Sequence, residues 1–556
     1  MTMAGGHRGD QGDLTLLLAE LGQYLNQVRL YVSDPGPKAY EDIRHKMAYI
    51  GSLSVKIRNH NFDLELATRL DERIHRLYHC QASISGRLHR ISELGLNVAS
   101  QMRHLSHSSF LAAYDLSGFF DEIDRGLAMI RPALEQRKLK MVVALCRVEE
   151  RLDALYADSF RRLIREMEEG LGQPGDRVTV LMIVHYLERI GDLILEIGEE
   201  LLHLVLGENL HYSQYLALEA GLKASGLSGR SLAYPGEFQS IWSGRSGCRI
   251  GVVGGEEVGL AGGEPVVFKH GPSAKLEKEL ENLKIWSELW PGLPPGVRAF
   301  VPAEGGGEAA LVLEYIQGDT LRDMFLKGPA AEAFKELTGA LNLMAGLWRE
   351  TRLEKEIRAG FAKQSLKRLG PVRALYPDLA DFNGHWGAIQ IRPFAELLEE
   401  ALLYEQALPA PFTVRAHGDF NLSNVMRDNK KGSYRFIDLY RSRLSDYAQD
   451  LSVMTMSILR LPLSGAPARE RLSRAAQLVW TFALDFAAQN HDPTLEARLS
   501  FGLARSYLTS ARFETRRAVA ARFLGYSRFL WEQLLDHGRR GRSWTDFKLD
   551  KRLLYV

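Results

Sequence analysis

The sequence predicts a multidomain protein in which an all-helical, internally duplicated first half precedes an α+β second half. Three observations carry this. The chain has 556 residues, too many for one ordinary core and enough for two to four domains. Residues 13 to about 220 follow the helical period almost throughout, whereas glycine-rich, β-branched runs take over from about 235. One helical segment also recurs. "LHRISELGLNVASQM" (Leu88 to Met102) resembles "LERIGDLILEIGEEL" (Leu187 to Leu201), so that Arg90 matches Arg189, Ile91 matches Ile190 and Glu93 matches Asp192, an offset of 99 residues.

In chain order, "MTMAGGHRGDQGD" lacks the apolar centre of a secretion signal, and residues 1–12 read as a flexible tail. "LTLLLAELGQYLNQVRLYV", "LELATRLDERIHRLYHC" and "VLMIVHYLERIGDLILEIGEELLHLVLGE" place apolar residues at i, i+3, i+4 and i+7, as amphipathic helices do. The breakers "SDPGPK" and "GLGQPGD" read as connections between them. A period near 100 is too long for a solenoid unit and suits a duplicated helical bundle, with repeats at about 13–108 and 109–215. The Ser- and Gly-rich stretch around 221–236 reads as a linker. After it, "SGRSGCRIGVVGGEEVG", "EPVVFKHG" and "AALVLEYIQGD" suggest a small antiparallel sheet over 237–330, and helical patterns dominate 331–556.

The balance of 70 basic against 69 acidic residues gives a net charge of +1 and no global reason to expect nucleic acid as a partner. The three cysteines, Cys80, Cys146 and Cys248, are widely separated and have no metal-ligand spacing, which fits a reducing compartment. No run reaches the ~18 consecutive apolar residues of a membrane-spanning helix. A soluble, cytoplasmic protein is expected.

The stretch "LERIGDLILEIGEELLHLVLGE" resembles the last helix of PhoU-type phosphate-signalling proteins. The resemblance extends over roughly residues 13–215 and is strongest in the second repeat. It implies two similar three-helix bundles, a phosphate-signalling or transporter protein as partner, and carboxylate pairs that bind metal clusters. Carboxylates at i and i+4 project from one helix face and can share a cation. Glu188 with Asp192 and Glu149 with Asp153 match that pattern and form the candidate metal set. The first repeat departs from it, with His89 opposite Glu93 and Asp42 beside Lys46. The competing reading is that these residues are solvated or salt-bridged at the surface.

"HGDFNLSNVM" (His417 to Met426) is either a simple turn or a loop that presents Asp419 and Asn424 side by side. The residues downstream of it favour the loop. "YRFIDL" is a short apolar strand beyond the polar turn "DNKKGS", and it ends at Asp438. Phosphoryl transfer from ATP calls for this set: one carboxylate to orient or deprotonate the attacking hydroxyl, and an amide oxygen with a second carboxylate to hold Mg²⁺. Upstream, "PVVFKHG" sets Lys269 at the end of a strand, where kinases place their ATP-phosphate lysine. The helix "KLEKELENLKIWSEL" offers Glu279 as its ion-pair partner, with Glu277 and Glu281 as competitors. "SGRSGC" supplies Gly244, Ser246 and Gly247 for a loop over the phosphates. "LVLEYIQGDTL" reads as a hinge whose Glu314 and Ile316 backbone groups face adenine.

This ordered set resembles the aminoglycoside phosphotransferase and choline kinase group, across roughly residues 237–556. The resemblance implies a two-lobed, protein-kinase-like fold with ATP and Mg²⁺ as cofactors. Asp419 would be the catalytic base or orienter, Asn424 and Asp438 the metal ligands, and Lys269 the grip on the α- and β-phosphates. Asp446 and Asp450 match a trailing pair that supports the loop, Asp446 being equally suited to cap a helix, and His417 would brace the loop. The sequence departs from the group after Asp438, where the usual glycine or tryptophan is missing, and in its irregular glycine loop. For the acceptor, Arg512, Arg516 and Arg517 form either an anion-facing surface or a solvated helix, and Tyr440, Arg441 and Arg443 directly follow the metal aspartate.

The expected function is therefore an ATP- and Mg²⁺-dependent kinase acting on a hydroxyl of a small molecule and regulated by the helical half. The alternative is a catalytically weak, nucleotide-binding regulator of phosphate transport or signalling that acts through protein partners. A homodimer is among the expected assemblies.

Overall fold

The computed structural model describes residues 6–67, 72–106, 110–111, 114, 116–171, 173–206, 210–226, 238–240, 248–253, 265–302, 307–387, 389–463 and 465–555. The chain divides into two compact units, residues 1–271 with 301–303, and residues 272–300 with 304–556.

The first unit opens with two successive sets of three long helices, as the internal repeat predicts: α1 (Gly6–Ser33), α2 (Pro37–Ala67) and α3 (Glu72–Gln101), then α4 (Leu116–Gln136), α5 (Leu139–Glu168) and α6 (Pro174–Leu206). Helix α6 shows why the pattern folds this way. Val180, Ile183, Val184, Leu187, Ile190, Ile194, Ile197 and Leu201 recur every three or four residues, and all are buried. Pro174 starts the helix where its missing N–H costs nothing, and Asp176 in the first turn accepts a hydrogen bond from Ser106 N at 2.8 Å. The two helices carrying the recurring segment, α3 and α6, pack on each other. Arg87 of α3 donates from Nε to Glu196 Oε2 (2.9 Å) and from Nη2 to Glu200 Oε1 (3.1 Å).

Two boundaries differ from expectation. Helix α1 begins at Gly6, inside the stretch expected to be a tail. Helix α7 (Tyr212–Ala224) runs into the expected linker because Leu218 and Leu222 continue its buried stripe. The linker from residue 227 onward lies outside the described residues. Three antiparallel strands follow in the order β1 (Phe238–Ser240), β2 (Arg249–Val253), β3 (Val266–Pro272), with Val253 opposite Val266.

The second unit begins with α8 (Ser273–Leu289), then β4 (Val297–Val301), β5 (Glu308–Glu314), β6 (Gly318–Thr320), α9 (Leu321–Lys327) and α10 (Ala330–Glu350). Helices α11 (Phe361–Leu375) and α12 (Pro377–Ala380), the hairpin β7 (Gly384–Trp386) and β8 (Ile389–Ile391), and α13 (Phe394–Gln406) come next. Four short strands then build the candidate site: β9 (Val414–Ala416), β10 (Val425–Asp428), β11 (Tyr434–Phe436) and β12 (Arg443–Ser445). Strand β10 lies between β6 and β11, and β12 folds back to pair with β9. Helices α14 (Ala448–Leu459), α15 (Ala466–Gln489), α16 (Leu495–Ala511) and α17 (Arg517–Arg539) complete the unit. Helix α16 is buried on nearly every side, with α11, α14 and α17 packed around it. Among the described residues, no helix is long and apolar enough to cross a membrane.

Candidate active site

The run from His417 to Asn424 is a turn in form, and its hydrogen bonds show what the turn holds. Gly418 has φ +80°, and a Cβ there would lie 2.2 Å from the Arg441 carbonyl oxygen, so only glycine fits. The Asp450 carboxylate accepts from the backbone N–H of His417 (2.9 Å) and of Gly418 (2.7 Å), while Gln449 Nε2 donates to Gly418 O at 3.1 Å. Helix α14 thus clamps the start of the loop. Further along, Asn421 Nδ2 and Asn424 Nδ2 both donate to Asp419 O, at 3.1 and 2.9 Å. The Asp419 carboxylate accepts from Arg441 Nη1 at 2.9 Å.

The hairpin brings Asp438 to the same place. Val425 of β10 pairs with Phe436 of β11, and Ile437 N donates to Asn424 O at 3.0 Å. Asp438 itself is left-handed, φ +60° and ψ +55°, a conformation that short polar residues tolerate best. Helix α8 fixes the residues after it: Asn282 Nδ2 donates to Leu439 O (2.8 Å), and Trp286 Nε1 donates to Ser442 Oγ (2.7 Å). Ser442 Oγ in turn donates to Ala416 O at 2.8 Å, which ties this turn to the end of β9.

The donor set suits Mg²⁺. The Asn424 amide N–H is engaged by the Asp419 carbonyl, so the amide oxygen is the atom it would offer a cation, and the Asn424–Ile437 backbone pair sets the half-buried Asp438 one residue further on. One or two protein oxygens together with substrate phosphates form the usual Mg²⁺ environment.

His417 is fully buried among the rings of Trp286, Phe420 and Phe436, with centroids 6.0, 6.0 and 5.9 Å away. Burial holds its pKa below the usual imidazole value against the nearby charges of Asp419 and Asp438. Within the loop its Nδ1 accepts from Asp419 N at 3.4 Å. Asp446 Oδ1 accepts from the N–H of Ala448, the first residue of α14, at 2.9 Å, and Oδ2 accepts from Arg498 Nη1 at 2.5 Å. Burial pushes Asp450 up to about 7, opposed by the two backbone N–H groups it accepts.

Lys269 is buried on β3, and on α8 Glu279 is the buried one of the three candidate glutamates. Glu277 accepts from Ser273 Oγ and Glu281 pairs with Lys278, both at the surface. Gly244, Ser246 and Gly247 lie outside the described residues. At the expected hinge the Glu314 N–H donates to Gly296 O at 2.8 Å. Its side chain, which burial would push up, is held down to about 2 by Arg435 Nη2 at 2.6 Å and by the Gly296 N–H. Ile316 is buried immediately beyond β5.

In the first unit, Glu149, Asp153, Glu188 and Asp192 stand close enough to act on one another. Burial and then Asp153 and Asp192 push Glu149 up to about 7, and burial with Asp192 raises Glu188. Arg189 Nη1 donates to Asp192 Oδ2 at 2.7 Å, and His185 Nδ1 lies 3.3 Å from Glu188 Oε2. Among the described residues, no three His, Cys, Asp or Glu side chains are arranged to hold one metal ion.

Sequence reasoning missed Arg368, Gln449 and Arg505, which gather behind Asp419. Arg516 and Arg517, for which the sequence offered an anion-facing surface or a solvated helix, are exposed and engaged by carboxylates, Arg516 Nε with Glu514 at 2.9 Å and Arg517 with Asp378. No local signal marks the missed residues, since they lie on separate helices.

Comparison with known proteins then separates the two halves. Residues 257–488 match the phosphotransferase enzyme family, and residues 116–201 match the PhoU domain. The chain thus joins a region similar to the phosphotransferase enzyme family to one similar to the PhoU domain. The first match takes in Lys269, Glu279, Asp419, Asn424 and Asp438; the second takes in all four bundle carboxylates. No curated protein matches the chain. Among solved structures, the phosphate transport system regulatory protein PhoU from Streptococcus pneumoniae is 18% identical, covers 37% of this chain and 95% of its own, and has a TM-score of 0.32. The aminoglycoside phosphotransferase APH(3'')-Id from Streptomyces rimosus is 21% identical, covers 53% of this chain and 98% of its own, and has a TM-score of 0.34. The same enzyme in complex with ADP and streptomycin is 19% identical over 49% of this chain and 92% of its own, with a TM-score of 0.32.

Proposed function

We propose that the protein is a kinase that transfers the γ-phosphoryl group of ATP, with Mg²⁺, to a hydroxyl of a small molecule, and that the helical half regulates it. The observation that carries this reading is the loop clamped by Asp450, which holds Asp419 beside Asn424 and the Asp438 turn. Bound Mg²⁺ would supply charge neutralisation at the phosphates. The Asn424 amide oxygen and the Asp438 carboxylate would hold it. The Asp419 carboxylate orients the acceptor hydroxyl and takes its proton as the new O–P bond forms and the β,γ-bridging bond breaks, leaving ADP. Lys269 would grip the α- and β-phosphates, with Glu279 as the ion-pair partner the sequence offers it, a reading supported by the family match that spans both. The partner proposed for the helical half is a phosphate-signalling or transporter protein, and the compartment proposed is the cytoplasm, with which the three free cysteines accord.

The test compares wild type with Asp419→Asn and Asp438→Ala, measuring Mg²⁺-ATP binding by calorimetry and label transfer from ATP into a fractionated metabolite extract. Asp419→Asn should bind nucleotide as wild type does and transfer no label, and Asp438→Ala should lose Mg²⁺-dependent binding. Normal turnover by Asp419→Asn would overturn the role of that carboxylate. Nucleotide binding without label transfer in wild type would favour a regulator instead.

A further inference from the structure

Four arginines of this protein are almost wholly buried among the described residues: Arg177, Arg435, Arg498 and Arg505. Three have carboxylate partners, as buried cations require. Arg177 Nε lies 3.6 Å from Glu166, Arg435 pairs with Glu314 and Asp428 at 2.6 and 3.1 Å, and Arg498 pairs with Asp446 and Asp492. Arg505, only 4% exposed, has no carboxylate among the described residues. Its Nη2 donates to two neutral oxygens, Gln449 Oε1 and Ser452 Oγ, each at 3.1 Å, and its buried Nε donates to nothing.

Arg505 has company of the same sign. Arg505 and Thr509 of α16 and its C-cap residue Arg512, still in helical conformation, follow one another at i, i+4 and i+7, hence on one face. Arg368 of α11 reaches that face, donating from Nη1 to Thr509 Oγ1 at 3.1 Å. Arg512 lies against the Phe513 ring, and its buried Nε too lacks an acceptor. A single side chain links this cluster to the reacting loop, because Gln449 accepts from Arg505 and donates to Gly418 O, next to Asp419. Electrostatics agree with the geometry. Burial, then Arg368 and Arg441, push Arg505 down to about 9; burial, then Arg441 and Arg512, push Arg368 down to about 10. Asp419 is the acidic group acting against them in both cases. The family match ends at residue 488, before Arg505 and Arg512.

We propose that the acceptor carries a phosphate monoester, and that Arg368, Arg505 and Arg512 bind this dianion while its hydroxyl faces Asp419. This rests on the kinase reading above for the hydroxyl and on the arginine cluster alone for the anion. Guanidinium forks suit phosphate oxygens, and a dianion supplies the countercharge the fold omits. Arg441 and Arg443, on the segment after Asp438, add positive charge at the approach.

The experiment uses the full-length protein, the double variant R368Q/R512Q, and R516Q as a control whose guanidinium is already paired with Glu514. Two readouts are taken: stabilisation against heat by inorganic phosphate and, separately, by Mg²⁺-ATP; and ADP release with matched acceptors, ribose against ribose 5-phosphate and glycerol against glycerol 3-phosphate. Inorganic phosphate should stabilise wild type and R516Q, and the double variant should bind it about tenfold or more weakly with its Mg²⁺-ATP response intact. ADP release should favour the phosphorylated member of each pair. Equal phosphate binding by wild type and double variant, a preference for the neutral acceptors, or a parallel loss of Mg²⁺-ATP binding would each overturn the proposal. Phosphate binding lost in the double variant, with no ADP released for any acceptor, would keep the anion site and overturn the kinase reading instead.

Discussion

Arg441 Nη1 donates to Asp419 Oδ2 at 2.9 Å, so the candidate catalytic carboxylate is held by a guanidinium only three residues beyond the candidate metal ligand Asp438. The pair is partly solvated, with the Arg441 side chain 46% exposed, so it adds little to folding. Its effect should fall on orientation. Arg441→Ala is expected to change unfolding free energy by no more than about 1 kcal/mol, yet to slow phosphoryl transfer, because the carboxylate is no longer fixed toward its acceptor. Chemical denaturation alongside single-turnover kinetics checks both halves of this expectation. A large loss of stability, or unchanged transfer, would contradict it.

Gly418→Ala attacks the same loop through the backbone. The residue sits at φ +80°, and an added Cβ would meet the Arg441 carbonyl oxygen at 2.2 Å. Relieving that overlap means moving the segment that carries both Arg441 and Asp438. A left-handed non-glycine residue alone costs of order 1–3 kcal/mol, and the overlap adds to it. The variant should therefore lose more than about 2 kcal/mol in denaturant titration, together with Mg²⁺-ATP affinity.

The sequence made the second unit's loop readable because its parts are close in the chain. From His417 to Asp438 there is one turn and one hairpin, and the residue types required at each step leave few alternatives. The duplicated bundle was readable for a different reason. Its second copy lies on α6, whose buried stripe runs the length of the helix, where the apolar spacing is least free to vary. The arginine cluster was not readable. Arg368, Gln449 and Arg505 lie on α11, α14 and α16, and only packing of those helices brings them together. Arg516 and Arg517, adjacent in the chain, were readable as a pair but not their engagement by Glu514 and Asp378.

Asp450 is the clamp that makes the loop rigid, and its two oxygens satisfy two buried N–H groups at 2.9 and 2.7 Å. Asp450→Ala leaves both donors without an acceptor, so a destabilisation of about 2–4 kcal/mol is expected, each orphaned donor costing roughly 1–3. Asp450→Asn retains one oxygen and turns an amide N–H toward the other donor, so it should fall between wild type and alanine. Hydrogen exchange at the His417 and Gly418 amides separates a local loosening from global unfolding. Equal stability of all three proteins would show that α14 does not hold the loop.

The carboxylates of the helical unit give the pH dependence its sign. Burial and then Asp153 and Asp192 push Glu149 from the ordinary value of 4.5 up to about 7, so the folded bundle holds this proton more tightly than the unfolded chain does. The resulting stability is fully present below the unfolded value and is lost as pH rises toward 7. Above 7 the ionised Glu149 is a net cost beside like charges. Glu149→Gln keeps the shape and removes the charge. At pH 8 it should unfold at higher temperature than wild type, by on the order of 1 kcal/mol once solvent screening of this half-buried group is allowed for. The difference should shrink through pH 7 and vanish near pH 4. Melting curves of both proteins across that range test this, and a gain that grew toward acid pH would refute the assignment.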